Sequence, residues 1–120
     1  MVYLADDDED DIEIVQEALA HNSYKGPVIS SDNGLKLIEQ LNSANNSNKP
    51  AVIILDLNMP RLDGFQTLAQ LRKHPVYAHI PVVVLTASSS KHDEIRCYEL
   101  GCNFYMSKPV KLADYAGLAA

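Results

Sequence analysis

Several things are scarce in this chain. No apolar run approaches the ~18 residues that a membrane-crossing helix needs, and no signal peptide opens the sequence. Neither a membrane protein nor a secreted one is expected. Only two cysteines are present, Cys97 and Cys102, with no metal-ligand partners at suitable spacing. They read as structural thiols of a reducing compartment, which points to the cytoplasm. Positive charge is short as well: 10 Lys and Arg against 16 Asp and Glu leave a net charge of -6. A basic face for nonspecific nucleic-acid binding is therefore not expected. No internal repeat is visible. The one low-complexity stretch, the Asn/Ser-rich residues 42–49, reads as a surface loop too short to link domains.

What remains is a chain of 120 residues, 47% hydrophobic, enough for one domain with a single core between layers of secondary structure. Residues 2–5 form a short apolar run bounded by charge and read as a first strand. Asp6 through Asp11 follow, all acidic. Asp8 suits an N-cap and Asp11 the capping-box position, so residues 8–11 read as a solvated helix start. Asp6 and Asp7 are left over at the strand end, where no helix dipole requires two adjacent carboxylates. Ile12, Val15 and Leu19, flanked by Ile14 and Ala18, mark the inward face of a first helix that ends near His21-Asn22. Residues 27–31 make a weak strand near an edge, and Leu35, Ile38 and Leu41 a short second helix. The apolar residues 51–55 run into Asp56. A Pro-containing turn follows, and Asp63 caps a third helix with Phe65, Leu68 and Leu71 on one face. Arg72 and Lys73 lie in its last turn, and Pro75 ends it. Residues 82–86, a continuous β-branched run opened by Pro81, suit a central parallel strand buried on both faces. A helix over residues 91–100 stops at Gly101. Residues 104–107 form a fifth strand and residues 112–120 a fifth helix.

Strict strand-helix alternation implies a parallel sheet with helices on both faces. Right-handed crossovers bring every strand's C-terminal end to one edge, where ligands bind in such sheets. Asp6 and Asp7 end the first strand, Asp56 the third and Thr86 the fourth, and Lys108 follows the fifth. Each alone has a bland reading: capping acid, packing threonine, solvated lysine. Their convergence on one rim is the functional signal.

Taken in order, Asp6-Asp7, Asp56-Leu57-Asn58-Met59-Pro60 with Asp63-Gly64, Leu85-Thr86-Ala87 and Lys108-Pro109 resemble the receiver domains of two-component response regulators, over the whole chain. The length resembles the single-domain, chemotaxis-regulator-like members. The polar insert before the third strand resembles the subgroup paired with phytochrome-type or other sensor histidine kinases. The resemblance implies one receiver domain over residues 1–120. It implies an α/β fold, the flavodoxin-like (βα)5 doubly wound parallel sheet with strand order 2-1-3-4-5.

The same resemblance assigns roles. Asp56 is the phosphoacceptor nucleophile. Asp7, Asp56 and the backbone carbonyl of Asn58 coordinate Mg2+ (or Mn2+) directly, and Asp6 acts through water. The cation relieves repulsion among three close carboxylates. Lys108, aimed by a cis bond before Pro109, neutralises phosphoryl oxygens, and Thr86 hydrogen-bonds one of them. Tyr105 occupies the switch-aromatic position, while Asn58 and Ser88 tune dephosphorylation. The domain is a phosphoacceptor rather than an enzyme. Its donor is a sensor histidine kinase or phosphotransfer protein, and a downstream protein reads the face of the fourth helix, fifth strand and fifth helix. No nucleic acid and no membrane are contacted, and the state is monomer or weak homodimer. Apart from the resemblance, His21, His74, His79 and His92 lack metal or triad spacing and are expected at the surface, and Met59 is expected to pack in a loop. Three other readings stand beside this one. A haloacid-dehalogenase-type phosphatase expects a second Asp where Asn58 stands. A phosphate-independent receiver-like binding module loses an acid or the lysine. The third is a receiver excised from a larger hybrid kinase or transcription factor, since both ends look trimmed.

Overall fold

The computed structural model describes residues 1–24, 26–43, 50–87 and 90–108. The expected fifth helix, Ser88, the Lys108-Pro109 bond and most of the Asn/Ser-rich loop lie outside the described residues. Nine elements alternate: β1 (Val2–Ala5), α1 (Glu9–His21), β2 (Val28–Ser31), α2 (Gly34–Ser43), β3 (Val52–Leu55), α3 (Gly64–Lys73), β4 (Val82–Thr86), α4 (Lys91–Glu99) and β5 (Phe104–Ser107). The second helix takes in Asn42 and Ser43, which the sequence assigned to the loop.

The strands form one parallel sheet in the order β2-β1-β3-β4-β5, which is the flavodoxin-like arrangement. In register, Ala5 stands beside both Ser31 and Leu55, and Thr86 beside Ser107. All C-terminal ends therefore share one edge. The chain leaves β1 toward β2 on one side and builds β3, β4 and β5 on the other, so the switch point falls between β1 and β3.

The central strands read as unbroken apolar runs because both faces are covered. Tyr3, Ala5, Ile53, Leu55, Val82 and Val84 point toward α2, α3 and α4, where they meet Leu37, Leu41, Leu68, Leu71 and Cys97. Val2, Leu4, Ile54 and Leu85 point the other way, toward Val15, Ala18 and Leu19 of α1. The inward stripe of α2 differs from the expected one. Gly34, Leu37 and Leu41 are buried, while Leu35 is exposed. Spacings of three and four residues are met by either stripe. The sheet selects the one containing Gly34, where an added Cβ would lie 2.7 Å from the Leu62 carbonyl oxygen.

Local chemistry sets the helix ends. Asp63 caps α3 with a complete capping box, its carboxylate accepting from the Gln66 N–H and the Gln66 side chain accepting from the Asp63 N–H. Gly101, at φ +103°, closes α4 by donating to the Tyr98 carbonyl, while the Cys102 N–H reaches Cys97 O at 3.0 Å. Both thiols are buried, and burial pushes Cys97 up to about 12. They are packing groups and not nucleophiles.

At the opposite end of the sheet from the strand C-termini, Arg72 does more than favour a helix end. Its guanidinium donates to Gly101 O at 2.8 Å, Ile80 O at 2.8 Å, Ala78 O at 3.2 Å and Asn103 Oδ1 at 2.9 Å. Asn103 Oδ1 also accepts from the Val82 N–H at 2.8 Å. The planar fork of arginine suits this gathering of acceptors, and a lysine would not span it. Among the described residues, no helix is long and apolar enough to cross a membrane.

Candidate functional site

The rim at the strand C-termini is built from backbone outward. The Asp56 N–H donates to Ala5 O at 2.9 Å, tying the end of β3 to the end of β1. The Asp56 carboxylate accepts from the Leu57 N–H at 2.8 Å, which fixes its rotamer. The Asp6 N–H donates to Ser31 O, and the Asp6 carboxylate accepts from the Asp8 N–H at 3.0 Å. Asp6 and Asp56 are both buried, at 2% and 5% exposure, whereas Asp7 is exposed. Buried carboxylates require charged or hydrogen-bonding partners. Here the partner is Lys108.

The Lys108 ammonium lies 2.8 Å from Asp6 Oδ2, 2.7 Å from Asp11 Oδ2 and 3.3 Å from Asp56 Oδ2. Its backbone N–H donates to Thr86 O at 2.7 Å, so the end of β4 anchors the lysine. Burial pushes the Asp6 carboxyl up to about 6, against the pull of Lys108 and the Asp8 N–H, and the charge of Asp56 adds to the rise. Burial acts to lower the Lys108 value. Its hydrogen bonds to Asp11 and Asp6 outweigh that and hold the ammonium charged well above its ordinary range.

Three carboxylates, Asp6, Asp7 and Asp56, offer oxygens that all lie within 4.8 Å of one another. This all-oxygen donor set of like charges suits a hard divalent cation. Asn58 sits two residues beyond Asp56 with its side chain exposed, in a loop turned tightly by Arg61 at φ 66°. Thr86 is fully buried at the end of β4. Tyr105, half buried, pairs with Val84 one step down the sheet, and its N–H donates to the Tyr98 hydroxyl of α4 at 3.1 Å. His21, His79 and His92 are exposed. His74 is half buried and stacks on Tyr77 at 4.1 Å.

One site residue departs from its expected role. Asp11 is not a solvated helix-start acid. Asp8 provides the N-cap, accepting from the Asp10 and Asp11 N–H groups, but the Asp11 carboxylate does not complete a capping box. It turns to Lys108. The signal was present in the spacing, because Asp11 stands four residues before buried Val15 and eight before Leu19, on the inward stripe of α1.

A parallel doubly wound sheet with acids ending β1 and β3, a hydroxyl ending β4 and a lysine after β5 is the arrangement that the sequence motifs share with receiver domains. The chain belongs to the response regulator receiver domains, whose family model matches residues 2–117. Among named relatives, it is 37% identical over 117 residues to the response regulator Rcp1 of Synechocystis sp., covering 95% of this chain and 80% of Rcp1. The structure of phosphorylated RcpA, a cyanobacterial phytochrome response regulator, superposes with a TM-score of 0.87 at 32% identity, covering 98% of this chain and 86% of RcpA. The Mn(2+)-bound form of Rcp1 superposes with a TM-score of 0.85 at 36% identity, covering 98% of this chain and 87% of Rcp1. The chain is thus a receiver domain of two-component signalling.

Proposed function

We propose that residues 1–120 act as one receiver domain that accepts a phosphoryl group on Asp56 from a phosphohistidine of a sensor kinase or phosphotransfer protein, and that phosphorylation alters binding to a downstream protein. The observation that carries this is the buried group Asp6-Asp56-Lys108, an ion set with no packing advantage over apolar side chains. Two similar proteins support it, one solved with Mn(2+) and one solved phosphorylated. The phytochrome connection of RcpA favours a phytochrome-type kinase as the donor.

Asp7, Asp56 and the Asn58 carbonyl would hold Mg2+ or Mn2+, with Asp6 contributing through water. When bound, the cation supplies charge neutralisation for the transferring phosphoryl group. The protein's own part is positioning. Leu57 N–H holds the Asp56 carboxylate in one rotamer, with an oxygen facing Lys108. Attack by that oxygen moves the phosphoryl group from the histidine nitrogen to Asp56, and the histidine leaves with the bond electrons. Lys108 then meets phosphoryl oxygens, and the Thr86 hydroxyl donates to one of them. The new group carries a charge of about -1.5 to -2. Reorientation of Thr86 would open space for Tyr105, two residues before Ser107, the register partner of Thr86, and the Tyr105 N–H donates to the Tyr98 hydroxyl of α4. Ile95, Tyr98 and Phe104 are exposed on α4 and β5, giving the partner an apolar surface. The switch is a population shift between two states. The cytoplasm is the proposed location.

Incubation with acetyl phosphate should add one phosphoryl group by intact mass with Mg2+ present, and none with EDTA. Labelling that ignores EDTA would remove the cation from the mechanism, and no labelling under any condition would remove the acceptor role. A second expectation concerns pH. With Asp6 near 6, its proton is largely off at pH 7 and largely on at pH 5. Protons and cations compete for the site, so Mn2+ affinity should fall about tenfold from pH 7 to pH 5. Equal affinity at both values in a Mn2+ titration would mean that Asp6 takes no part in holding the ion.

A further inference from the structure

Asp11 touches the lysine of the site yet stands outside the carboxylate cluster. The Lys108 ammonium is held by Asp11 at 2.7 Å, by Asp6 at 2.8 Å and by Asp56 at 3.3 Å. Asp6 and Asp56 are grouped with Asp7 in the set that can hold a divalent ion, and Asp11 is not. An ammonium and a divalent cation would therefore compete for the same two carboxylates, with like charges only a few ångströms apart. A lysine whose only partners were those two would be left without one as the cation bound. Asp11 supplies the alternative. Its side chain is 27% exposed and that of Lys108 12%, so the pair lies at the mouth of the site, where water screens but does not erase it. Its position is fixed independently of the lysine, because Asp8 caps its N–H and Val15, one turn on, anchors that stripe of α1 in the core.

We infer that Asp11 is a positioning residue that retains the Lys108 ammonium at the rim of the site when a divalent cation takes Asp6 and Asp56, so that the cation enters without expelling the lysine. This rests on the acceptor-site reading above. Asp11 lowers the repulsion that the cation meets and keeps the lysine within reach of phosphoryl oxygens. Part of the apparent metal affinity is thereby carried by a residue that does not touch the metal.

A double-mutant cycle separates this role from a general effect of charge. Mn2+ binding, read by the loss of the free-ion EPR signal, is compared in wild type, Asp11→Asn, Lys108→Met and the double variant, with folding checked by circular dichroism. Asp11→Asn should weaken binding about fivefold in the wild-type background, the worth of one partly buried ion pair, and by less than about twofold when Lys108 is already Met. Asp11→Ser, a residue well suited to a helix start, serves as a second variant with the same expected split, and Asp11→Glu should restore most of the affinity. Equal weakening in both backgrounds, or none in either, overturns the inference and leaves the acceptor-site reading standing. A wild-type protein that binds no Mn2+ overturns the inference and removes the cation from the acceptor site as well.

Discussion

Asp56→Asn should reduce acetyl phosphate labelling to background while leaving the fold intact. Asparagine keeps the size of the side chain and one acceptor oxygen, so the Leu57 N–H, donating at 2.8 Å, retains a partner. What disappears is the nucleophilic carboxylate, and no amide oxygen replaces it at neutral pH. The electrostatic consequence helps the experiment. Asp56 is one of the charges that raise Asp6, and removing it relieves a buried pair of like charges. Lys108 keeps its shorter contacts to Asp6 and Asp11. Stability in urea should therefore match wild type to within about 1 kcal/mol, since a buried hydrogen-bonding group is replaced and not orphaned. Loss of labelling in a folded variant would be a chemical loss. Equal labelling of variant and wild type would place the acceptor elsewhere and sink the proposed function.

Gly64→Ala should destabilise the domain by about 3 kcal/mol or more, although alanine is the better helix former. The reason is contact and not backbone angle. A Cβ at this position would lie 2.3 Å from Asp56 O and 2.5 Å from Leu57 Cα. Both are backbone atoms, so no rotamer change relieves the clash. The Gly64 N–H donates to Leu57 O at 2.9 Å, which ties the start of α3 to the residue after Asp56. To admit a methyl group, the helix must move away and the Asp56-Leu57 peptide must shift, taking the buried carboxylate with it. A fall in the urea midpoint at unchanged m-value would report the stability loss. Mn2+ affinity, referred to the folded fraction, should fall with it. A wild-type midpoint would mean that the loop yields without cost, and that the close approach does not hold Asp56 in place.

Much of this was legible in the sequence because the signals were local. Strands buried on both faces leave unbroken apolar runs, as in residues 82–86, and helix ends carry their own markers, as at Asp63 and Gly101. The rim followed from topology: once all strands run parallel, Asp6, Asp56 and Lys108 share an edge without further information. The misses have a common cause. The expected stripe of the second helix began at Leu35, whereas the sheet selected the one through Gly34, Leu37 and Leu41. Asp11 read as one more acid in a run, because its partner lies 97 residues away. Arg72 read as a last-turn cation, because Gly101 and Asn103 are distant along the chain. The sequence does not name the partner of a long-range polar contact, even where, as at Asp11, the spacing places a residue on an inward stripe. The roles of metal ligand and switch residue came from the family resemblance, because neither burial nor spacing distinguishes them from capping acids and packing side chains.

The Arg72 guanidinium suggests how the molecule divides its labour. By joining the end of α3, the approach to β4 and the turn into β5, it acts as a foundation bolt beneath the sheet. Strands β4 and β5 are clamped at their feet, and at the rim the Lys108 N–H ties the two again at Thr86 O. Sliding either strand bodily would break the Arg72 contacts, so a small displacement at the rim would cost least as bending near the strand tips. The firmer that fixed end, the more of a small displacement beside Asp56 would pass outward and not be absorbed within the sheet.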